Sequence, residues 1–544
     1  MRVLLAFVLV LFQTSVILAQ SPLSPDLIQK LDSIAKQDVP AKAPGIATAI
    51  IQNGAVIYAK YAGIADLADS SLIDKSTRFN IASNGKQFTA LAVLSLVSDE
   101  KLKLDSDIRA FFPNLFPDIK SSITVKMLLN HTSGIRDCYD LWSLMGYTWW
   151  KQGFDNADVL HLLAAQKELN FDPDSAYSYS NSNYILLALI VEKVSGKTFR
   201  EFTSEMFQKL NMPNTAFESD HTSIKGPIAR AYFNFSSWTT YDWIWEVVGD
   251  GNLFTTLENQ IQWEKLVQGN GKSAFDPKLI EESQQTLTSS KFPNYGYGLE
   301  FGQYQGLDYA YHEGATGAWK ATVVRFPKQN YSFLTLTNTG KSIPSSQTRQ
   351  MVDAVFGLEE TQNTLITKPE RIGEYVSDSE LLGTYLTEDD FAFTFEMRED
   401  KIFLLRVGRN DVELERESAN VFRQKFDPAF KQEFTTNAQG ERQVTAYYIN
   451  HSPYSLIKTK PIRKDFDYKG IDGEYLNSET ETQIRIEHLG GENYEITFRG
   501  EDKSKGLLVS DTKILVDFYS FEFQDSGFLL NGGRVKRVKF ERVD

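Results

Sequence analysis

The chain reads Asn80-Ile81-Ala82-Ser83-Asn84-Gly85-Lys86 and continues with Gln87-Phe88-Thr89-Ala90-Leu91-Ala92-Val93-Leu94. The second part is apolar enough to be a buried helix, which would place Ser83 at the N-terminus of that helix. Residues three apart share a helix face, so we expect the Lys86 ammonium to lie beside the Ser83 hydroxyl. The positive end of the helix dipole favours developing negative charge. These features together are what activation of a serine without histidine requires.

The tetrapeptide Ser-x-x-Lys is not specific by itself. It also begins at Ser33, Ser98, Ser455 and Ser510. What distinguishes Ser83 is the apolar helix that follows it. Ser98 lies in a charged, surface-like stretch, and the last two serines lie in a region that is rich in predicted strands.

A second polar loop also precedes an apolar helix. Residues 177–184 read Tyr-Ser-Tyr-Ser-Asn-Ser-Asn-Tyr and lead into an apolar run at 185–191. If a neighbouring lysine lowers the pKa of Tyr179, this tyrosine could act as a general base toward the serine and as an acid toward the leaving group. Asn181 could present an amide to the same cleft. The alternative interpretation is ordinary helix capping by Ser180 or Asn181.

A third element combines a histidine with small residues. Residues 311–317 read Tyr-His-Glu-Gly-Ala-Thr-Gly and precede a strand-like run at 320–326. Small residues on an edge strand let a substrate backbone approach closely. The backbone N–H of Ala315 could then pair with that of Ser83 as an oxyanion hole. The alternative is a hairpin turn with a hydrogen-bonded histidine.

Length and charge limit the possible functions. The chain has 544 residues and a formal net charge of −14, and its length predicts roughly two to four domains. Negative charge repels phosphate backbones, so nucleic acid is not an expected partner. Cys138 is the single cysteine, which rules out an intrachain disulfide. The six histidines lack metal-ligand spacing, and we expect neither a metal nor a cofactor.

Residues 1–19 have the pattern of a secretory signal peptide. Arg2 precedes an apolar run that closes on the small residue Ala19. A membrane anchor is the alternative, but the run is shorter than the ~20 residues that a bilayer requires. No later segment reaches that length. We therefore expect a protein without a membrane span after signal cleavage, in a bacterial periplasm or outside the cell.

The pattern of periodicity changes along the chain. Residues 20–358 mix strand-like and helical patterns, which indicates an α+β domain. Residues 359–375 are charged, have little apolar periodicity and are predicted to be a linker. Beyond them, residues 376–462 and 463–544 show short alternating strands and almost no helix, so we expect two β units.

The β region contains an internal repeat. Residues 383–386 read Gly-Thr-Tyr-Leu and recur as Gly-Glu-Tyr-Leu at 473–476, an offset of 90 residues. Two β units, or two halves of one barrel, fit this repeat. Near the end, residues 532–540 alternate cations with apolar residues, which is more typical of the solvated face of a strand than of an anion site.

Tryptophans concentrate in two short segments. Six of the eight lie there, interleaved with tyrosines: Trp142, Trp149, Trp150, Trp238, Trp243 and Trp245. Such aromatic loops could form the walls of a cleft that accepts an apolar acyl group, an aryl group or a sugar face. Packing of helices against the sheet is an equally good explanation.

Five motifs in this order resemble those of the beta-lactamase-related serine hydrolases, a family that includes class C beta-lactamases, D-alanyl-D-alanine carboxypeptidases, D-aminopeptidases and esterases. They are Ser83-Asn84-Gly85-Lys86, Leu128-Leu129-Asn130-His131-Thr132-Ser133-Gly134-Ile135, Tyr179-Ser180-Asn181, Gly249-Asp250-Gly251-Asn252-Leu253 and His312-Glu313-Gly314. The resemblance covers about residues 25 to 356. It implies a beta-lactamase/transpeptidase-like domain with helices on both sides of an antiparallel sheet. The C-terminal region is similar to lipocalin-like barrels, which could cap the cleft, bind a ligand or mediate homo-oligomers.

The resemblance also implies roles for individual residues. Ser83 corresponds to the acyl-enzyme nucleophile, Lys86 to its proton-handling partner, Tyr179 to the general base and Asn181 to a ligand for the substrate amide. The motif from His312 to Gly314 occupies the place where the lactamases carry Lys-Thr-Gly. His131 is expected to be a packing residue.

One departure from the family pattern concerns the substrate. His312 replaces a fixed cation with a group that is mostly neutral near pH 7, and Glu313 adds a carboxylate beside it. A substrate carboxylate should be held less well. We therefore expect an exported serine hydrolase that cleaves an ester or amide bond in a small molecule or peptide. A beta-lactamase or D,D-carboxypeptidase is one alternative, and a catalytically silent ligand-binding protein is another.

Overall fold

The computed structural model describes residues 23–148, 151–287, 290–358, 375–388, 390–405, 411–425, 430–448 and 451–543. The predicted signal peptide at 1–19, nearly all of the predicted linker at 359–375, and two of the tryptophans, Trp149 and Trp150, lie outside these residues. Among the helices of the described residues, none combines the length and the apolar character that a membrane crossing requires.

Most helices belong to the first part of the chain. In order, the helices are α1 (Pro25–Lys36), α2 (Lys86–Ser98), α3 (Val125–Leu129), α4 (Cys138–Leu144), α5 (Asn156–Ala164), α6 (Asn181–Ser195), α7 (Phe199–Lys209), α8 (Leu257–Val267), α9 (Pro277–Ser283), α10 (Pro344–Phe356) and α11 (Asp378–Leu381). Short 3-10 turns occur at Ala82–Gly85, Ile108–Ala110 and His221–Ser223.

The same part of the chain contains one main antiparallel sheet. The strands are β1 (Ile46–Gln52), β2 (Ala55–Ala62), β3 (Ile64–Asp66), β4 (Ser71–Leu72), β5 (Arg78–Asn80), β6 (Ala216–Phe217), β7 (Phe233–Asn234), β8 (Trp238–Thr239), β9 (Leu253–Thr256), β10 (Glu300–Tyr304), β11 (Leu307–Thr316), β12 (Trp319–Phe326) and β13 (Tyr331–Thr337). The main sheet has the order β10-β11-β12-β13-β1-β2, and β5, β9 and β6 form a small second sheet.

Helices cover both faces of the main sheet. On one face, Ile50 and Phe333 are fully buried in a core that includes Leu31 of α1 and Met351 of α10. On the other face, Ala49 belongs to the core that contains α2 and α6. Strand β1 is therefore buried on both faces, which explains its nearly continuous apolar sequence. The predicted α+β domain is confirmed.

The C-terminal region consists of two closed, eight-stranded antiparallel barrels. The first contains β14 (Gly383–Leu386), β15 (Ala392–Arg398), β16 (Lys401–Leu405), β17 (Val412–Arg416), β18 (Val421–Gln424), β19 (Lys431–Thr436), β20 (Arg442–Tyr448) and β21 (His451–Lys458). The second contains β22 (Gly473–Asn477), β23 (Thr482–Gly490), β24 (Asn493–Phe498), β25 (Asp502–Ser510), β26 (Lys513–Val516), β27 (Tyr519–Gln524), β28 (Gly527–Asn531) and β29 (Val538–Arg542).

The sequence repeat supplies the first strand of each barrel. Each barrel closes where this strand pairs with the last one, Tyr385 opposite Lys458 and Tyr475 opposite Arg542. Both tyrosines are buried in apolar cores. The predicted all-β region is confirmed, and the repeat corresponds to two barrels rather than to two halves of one.

Arg136 ties the second barrel to the helical part of the chain. Its side chain is buried, and Nη1 donates to Glu479 Oε2 at 2.6 Å. Nε and Nη2 donate to the backbone carbonyls of Lys536 and Arg537 at 3.1 and 2.8 Å. The segment 532–537 is thus a loop docked against the first domain. The expectation of a solvated strand face is wrong for this segment, because its backbone carbonyls supply acceptors for a buried arginine.

We expect Arg136→Ala to lower the free energy of unfolding by about 3–5 kcal/mol, because it removes the donor from Glu479 Oε2, from Gln166 Oε1 and from two backbone carbonyls. Urea unfolding monitored by circular dichroism measures the change. The control is Arg485→Ala, which removes an exposed ion pair with Glu487 at 2.6 Å and should change stability by less than about 1 kcal/mol. Equal losses in the two variants would contradict the docking role of Arg136.

Candidate active site

Ser83 lies in the 3-10 turn that precedes α2. The residue before it, Ala82, has a φ of +48°, a left-handed conformation that is unfavourable for alanine. Asn80 holds this turn, since its Oδ1 accepts from the Ala82 N–H at 2.9 Å and its Nδ2 donates to Asn252 Oδ1 at 3.1 Å. Two asparagines on neighbouring segments therefore fix the position of the serine.

Lys86 is the first residue of α2 and is fully buried. Its Nζ donates to Ser83 Oγ at 3.0 Å, to Asn181 Oδ1 at 2.8 Å and to the backbone carbonyl of Asp250 at 2.7 Å. Burial lowers the pKa of Lys86 to about 8, although the charges of Asp250 and Asp137 oppose the shift. Part of the Lys86 population is therefore neutral at physiological pH, and the neutral amine can accept the proton of Ser83. The predicted contact between these two side chains is present.

Tyr179 lies beside this pair. Lys86 Nζ is 4.9 Å from the centroid of its ring. Burial raises the pKa of the Tyr179 phenol well above its usual value, and the hydrogen bond with Ser83 only partly opposes this. The shift is opposite to the lowering expected from a neighbouring lysine, because desolvation has a larger effect than the Ser83 hydrogen bond and the charge of Arg534, which both lower the pKa. Tyr179 therefore stays protonated and is placed to relay or donate a proton.

Asn181 begins α6 and connects Lys86 to Asp137. Its Oδ1 accepts from Lys86, while its Nδ2 and backbone N–H both donate to Asp137 Oδ2, at 2.9 and 2.7 Å. The side chain lines the cleft, but these contacts first orient the lysine. A substrate amide would find one remaining N–H on this side chain.

His312 lies on β11 and is buried. Its Nδ1 is 2.7 Å from the backbone carbonyl of Glu313, which can only accept, so Nδ1 carries the proton. Nε2 then accepts from the Tyr295 hydroxyl at 3.1 Å. Burial lowers the pKa of His312 to about 3. This histidine is therefore neutral and does not replace the cation of the lactamase motif.

Gly314 lets β11 pass directly against the serine turn. A Cβ at this position would lie 2.2 Å from the Ile81 carbonyl oxygen and 3.1 Å from the Ser83 nitrogen, so only glycine fits. Ala315 follows and lines the cleft on both sides of Ser83. The structure thus brings the two predicted oxyanion-hole residues, Ser83 and Ala315, to the same place.

Two cavities flank the serine, and both are lined by Ser83, Tyr179 and Ala315. The aromatic cavity has a volume of about 480 Å³, and rings dominate its wall: Tyr139, Trp142, Tyr147, Tyr179, Trp243 and Trp245. The acidic cavity has a volume of about 400 Å³ and contains two carboxylates, Glu300 and Glu313, and one cation, Lys320. Three of the six clustered tryptophans therefore form the wall of the cleft, as one of the two sequence interpretations predicted.

Arg534 is the site residue that sequence reasoning missed. It comes from the docked loop of the second barrel and lines the aromatic cavity. Its guanidinium contacts Asp140 at 2.5 Å and Asp137 at 3.4 Å. No local pattern could have revealed it, because its partners lie almost 400 residues earlier in the chain.

His131 belongs to the core rather than to the reacting groups. It is fully buried, and its Nδ1 accepts from the Ser180 N–H at 3.2 Å. Its ring lies 4.4 Å from that of Tyr179. Burial lowers the pKa of His131 well below its usual value, so the ring is neutral. This arrangement agrees with a packing role.

Candidate metal ligands occur together at one place in the described residues. Side-chain atoms of Asp220, His221 and Glu246 lie within 4.8 Å of one another, with His221 Nδ1 at 2.8 Å from Glu246 Oε1. None of these residues lines either cavity. Sequence spacing did not reveal this group because Glu246 comes from a separate loop.

A serine at a helix N-terminus, a buried lysine beside it and a strand of small residues against it define an active-site serine hydrolase on an α+β domain. The family model described as Beta-lactamase matches residues 31–357, and the chain belongs to this family.

Relatives include several kinds of hydrolase. The D-aminopeptidase of Brucella canis is 27% identical over 325 residues, which are 58% of this chain and 60% of the relative. The chain thus matches about three fifths of the length of this curated relative. Among solved structures, the octameric penicillin-binding protein homologue from Pyrococcus abyssi has a TM-score of 0.56 at 20% identity and covers 80% of this chain and 99% of its own. The D-amino acid amidase from Ochrobactrum anthropi has a TM-score of 0.51 at 20% identity and covers 61% and 99%. These structural likenesses concern the fold.

We expect Gly314→Ala to slow labelling of Ser83 by a fluorophosphonate about 100-fold, because the added Cβ would displace the serine turn by a fraction of an ångström or more. Time-resolved intact-mass spectrometry measures the rate. The control is Gly340→Ala, whose added Cβ would come no closer than 3.4 Å to its neighbours. Equal rates in Gly314→Ala and wild type would contradict the close approach of β11.

Proposed function

We propose that this protein hydrolyses an amide or ester bond through an acyl-enzyme on Ser83. The observation that carries the proposal is the buried Lys86 ammonium at 3.0 Å from Ser83 Oγ, with a pKa lowered to about 8. A lysine that is partly neutral can act as the base that a serine nucleophile needs.

In the acylation step, Ser83 Oγ forms a bond to the substrate carbonyl carbon and gives its proton to neutral Lys86. The carbonyl π electrons move to the oxygen, where the N–H groups of Ser83 and Ala315 would stabilise the oxyanion. Collapse of this intermediate breaks the bond to the leaving amine or alcohol. The proton on Lys86 reaches that group through the hydroxyl of Tyr179, which regains the proton that it donates.

Deacylation reverses these roles. Water attacks the acyl carbon and gives a proton to Lys86, and the Ser83 oxygen leaves as the acyl group departs as an acid. The Lys86 ammonium then returns its proton to Ser83. Neither half of the cycle needs a residue other than those already in contact in the structure.

The choice of amide or ester substrates has two supports. One is the D-aminopeptidase relative, whose reaction breaks an amide bond. The other is the charge of the acidic cavity, where the two carboxylates of Glu300 and Glu313 outnumber the one ammonium of Lys320 and would repel the carboxylate that penicillins and peptidyl-D-alanine carry. The neutral His312 does not offset this repulsion.

Reaction with a fluorophosphonate probe tests the nucleophile. We expect one covalent adduct on wild type and none on Ser83→Ala, and a loss of labelling rate of about 100-fold or more in Lys86→Ala, which lacks the base. Intact-mass spectrometry detects the adduct, and circular dichroism shows that each variant is folded. No adduct on folded wild type would refute the proposal and favour a ligand-binding protein. Labelling of either variant at the wild-type rate would refute the assigned roles.

The pH profile tests the base. Because burial lowers the pKa of Lys86 to about 8, kcat/KM for a nitrophenyl ester should rise with pH through about 8 and then level off as the neutral amine accumulates. Asp250→Asn should move this rise in kcat/KM to lower pH, since the Asp250 charge raises the pKa of Lys86. If kcat/KM of this variant rises at the same pH as that of the wild type, a group other than Lys86 is being titrated.

A further inference from the structure

The docked loop of the second barrel brings a guanidinium to the wall of the aromatic cavity. Arg534 lines this cavity together with Ser83 and Asn181. Its Nη2 donates to Asp140 Oδ1 at 2.5 Å, and its Nη1 lies 3.4 Å from Asp137 Oδ2. Asp137 is fully buried, and a buried carboxylate is costly unless donors surround it. The C-terminal region therefore supplies the cation that pairs with a buried carboxylate of the first domain.

This carboxylate is also linked to the reacting groups through Asn181. Asp137 Oδ2 accepts from the backbone N–H and from Nδ2 of Asn181, at 2.7 and 2.9 Å. Because Nδ2 faces Asp137, Oδ1 of the same amide faces Lys86 and accepts from its Nζ at 2.8 Å. Lys86 in turn donates to Ser83 Oγ at 3.0 Å. The orientation of the lysine thus depends on the carboxylate that Arg534 and Asn181 share.

Backbone contacts also hold the docked loop, so its position does not rest on the Arg534 side chain alone. The Asp137 N–H and Asn170 Nδ2 donate to the Arg534 carbonyl at 3.2 and 3.0 Å, and the Lys536 N–H donates to Asn170 Oδ1 at 2.7 Å. Arg136 donates to the carbonyls of the two residues that precede 538. A change in the Arg534 side chain should therefore remove the guanidinium and leave the loop docked.

Arg534 is also one of the charges that act on Lys86. Burial is the main cause of the lowered pKa of Lys86, the charges of Asp250 and Asp137 oppose it, and the charge of Arg534 adds to it. The other titratable side chains around the lysine are Cys138, Tyr179, Tyr184, His131 and His312. The guanidinium thus favours the neutral amine, which is the form that accepts the proton of Ser83.

We propose that Arg534 is a positioning residue for catalysis, which acts through Asp137 and Asn181 to hold Lys86 in the orientation that activates Ser83. The second barrel then supplies a group that the reaction requires, although the reacting atoms all belong to the first domain. This inference rests on the proposed function and goes beyond it, because it assigns a part in the reaction to the C-terminal region.

The test compares Arg534→Gln with Arg534→Lys. In Arg534→Gln, we expect kcat/KM for a nitrophenyl ester at pH 7 to fall about 10- to 100-fold, because the lysine loses its fixed orientation. The rise of kcat/KM with pH should also move to higher pH, since the lost cation disfavours the ammonium of Lys86. Arg534→Lys keeps a positive charge and should leave the pH of this rise unchanged.

The matched control is Arg537→Gln, the same change in the same loop. The Arg537 side chain is 54% exposed and lies 3.7 Å from Glu168, so kcat/KM should stay within about threefold of wild type. Circular dichroism shows that each variant is folded. Wild-type activity in Arg534→Gln, a loss without a shift of the pH profile, or an equal loss in Arg537→Gln would overturn the proposal.

An NMR titration separates this inference from the proposed function. Protein labelled with ¹³C at lysine Cε reports the protonation of Lys86 directly, and Lys86→Met assigns its signal. The pKa of Lys86 should be higher in Arg534→Gln than in wild type and unchanged in Arg537→Gln. If a fluorophosphonate does not label Ser83, the proposed function fails, but the titration still decides whether Arg534 acts on Lys86. The same pKa in wild type and Arg534→Gln would refute that action.

Discussion

The buried ammonium of Lys86 is the constraint around which the site is arranged. Removing a charged amine from water costs several kcal/mol unless its donors find acceptors. Its three acceptors come from the turn before α2, the first residue of α6 and the loop before β9. These segments meet only in the folded domain. The contacts that offset the cost of burying the ammonium also bring the serine, the lysine and the cavity wall together. Because these contacts do not offset the whole cost of burial, the pKa of Lys86 is lowered to about 8, where the amine can act as a base.

Asp137 extends this constraint to the second barrel. One of its carboxylate oxygens caps α4 by accepting from the Tyr139 N–H at 3.0 Å. The other accepts from Asn181 and faces Arg534 at 3.4 Å. A chain of polar contacts thus runs from the lysine through Asn181 and Asp137 to the barrel loop. The barrel is structurally part of the active-site wall, and its docking affects the groups that orient the base.

The local parts of this arrangement could be predicted from the sequence, whereas the long-range parts could not. Ser83 and Lys86 lie one helical turn apart, so periodicity alone places them together. The alternating strands and the repeated tetrapeptide likewise indicated the barrels. Arg534 meets Asp140 across 394 residues of sequence, and spacing carries no information on such a contact. The pKa of Tyr179 was expected to fall because a lysine is near, but it rises because burial, which only tertiary packing produces, has the larger effect.

The charges on the two sides of the nucleophile act together on substrate choice. In the proposed reaction, a substrate with its carbonyl at Ser83 would have one cavity on each side of it, because Ser83 lines both. Each cavity contains one cation among its described lining residues. In the aromatic cavity, Arg534 forms ion pairs with Asp137 and Asp140. In the acidic cavity, Lys320 donates hydrogen bonds to the backbone carbonyls of Gly340 and Ser342. The charge of Lys86 opposes the effect of burial on the pKa of the Asp250 carboxyl, whereas Glu300 and Glu313 are the carboxylates of the acidic cavity. A substrate carboxylate in the acidic cavity would meet two carboxylates and a lysine that already donates to two backbone carbonyls, and this arrangement supports the proposed preference for substrates without a carboxylate at that position.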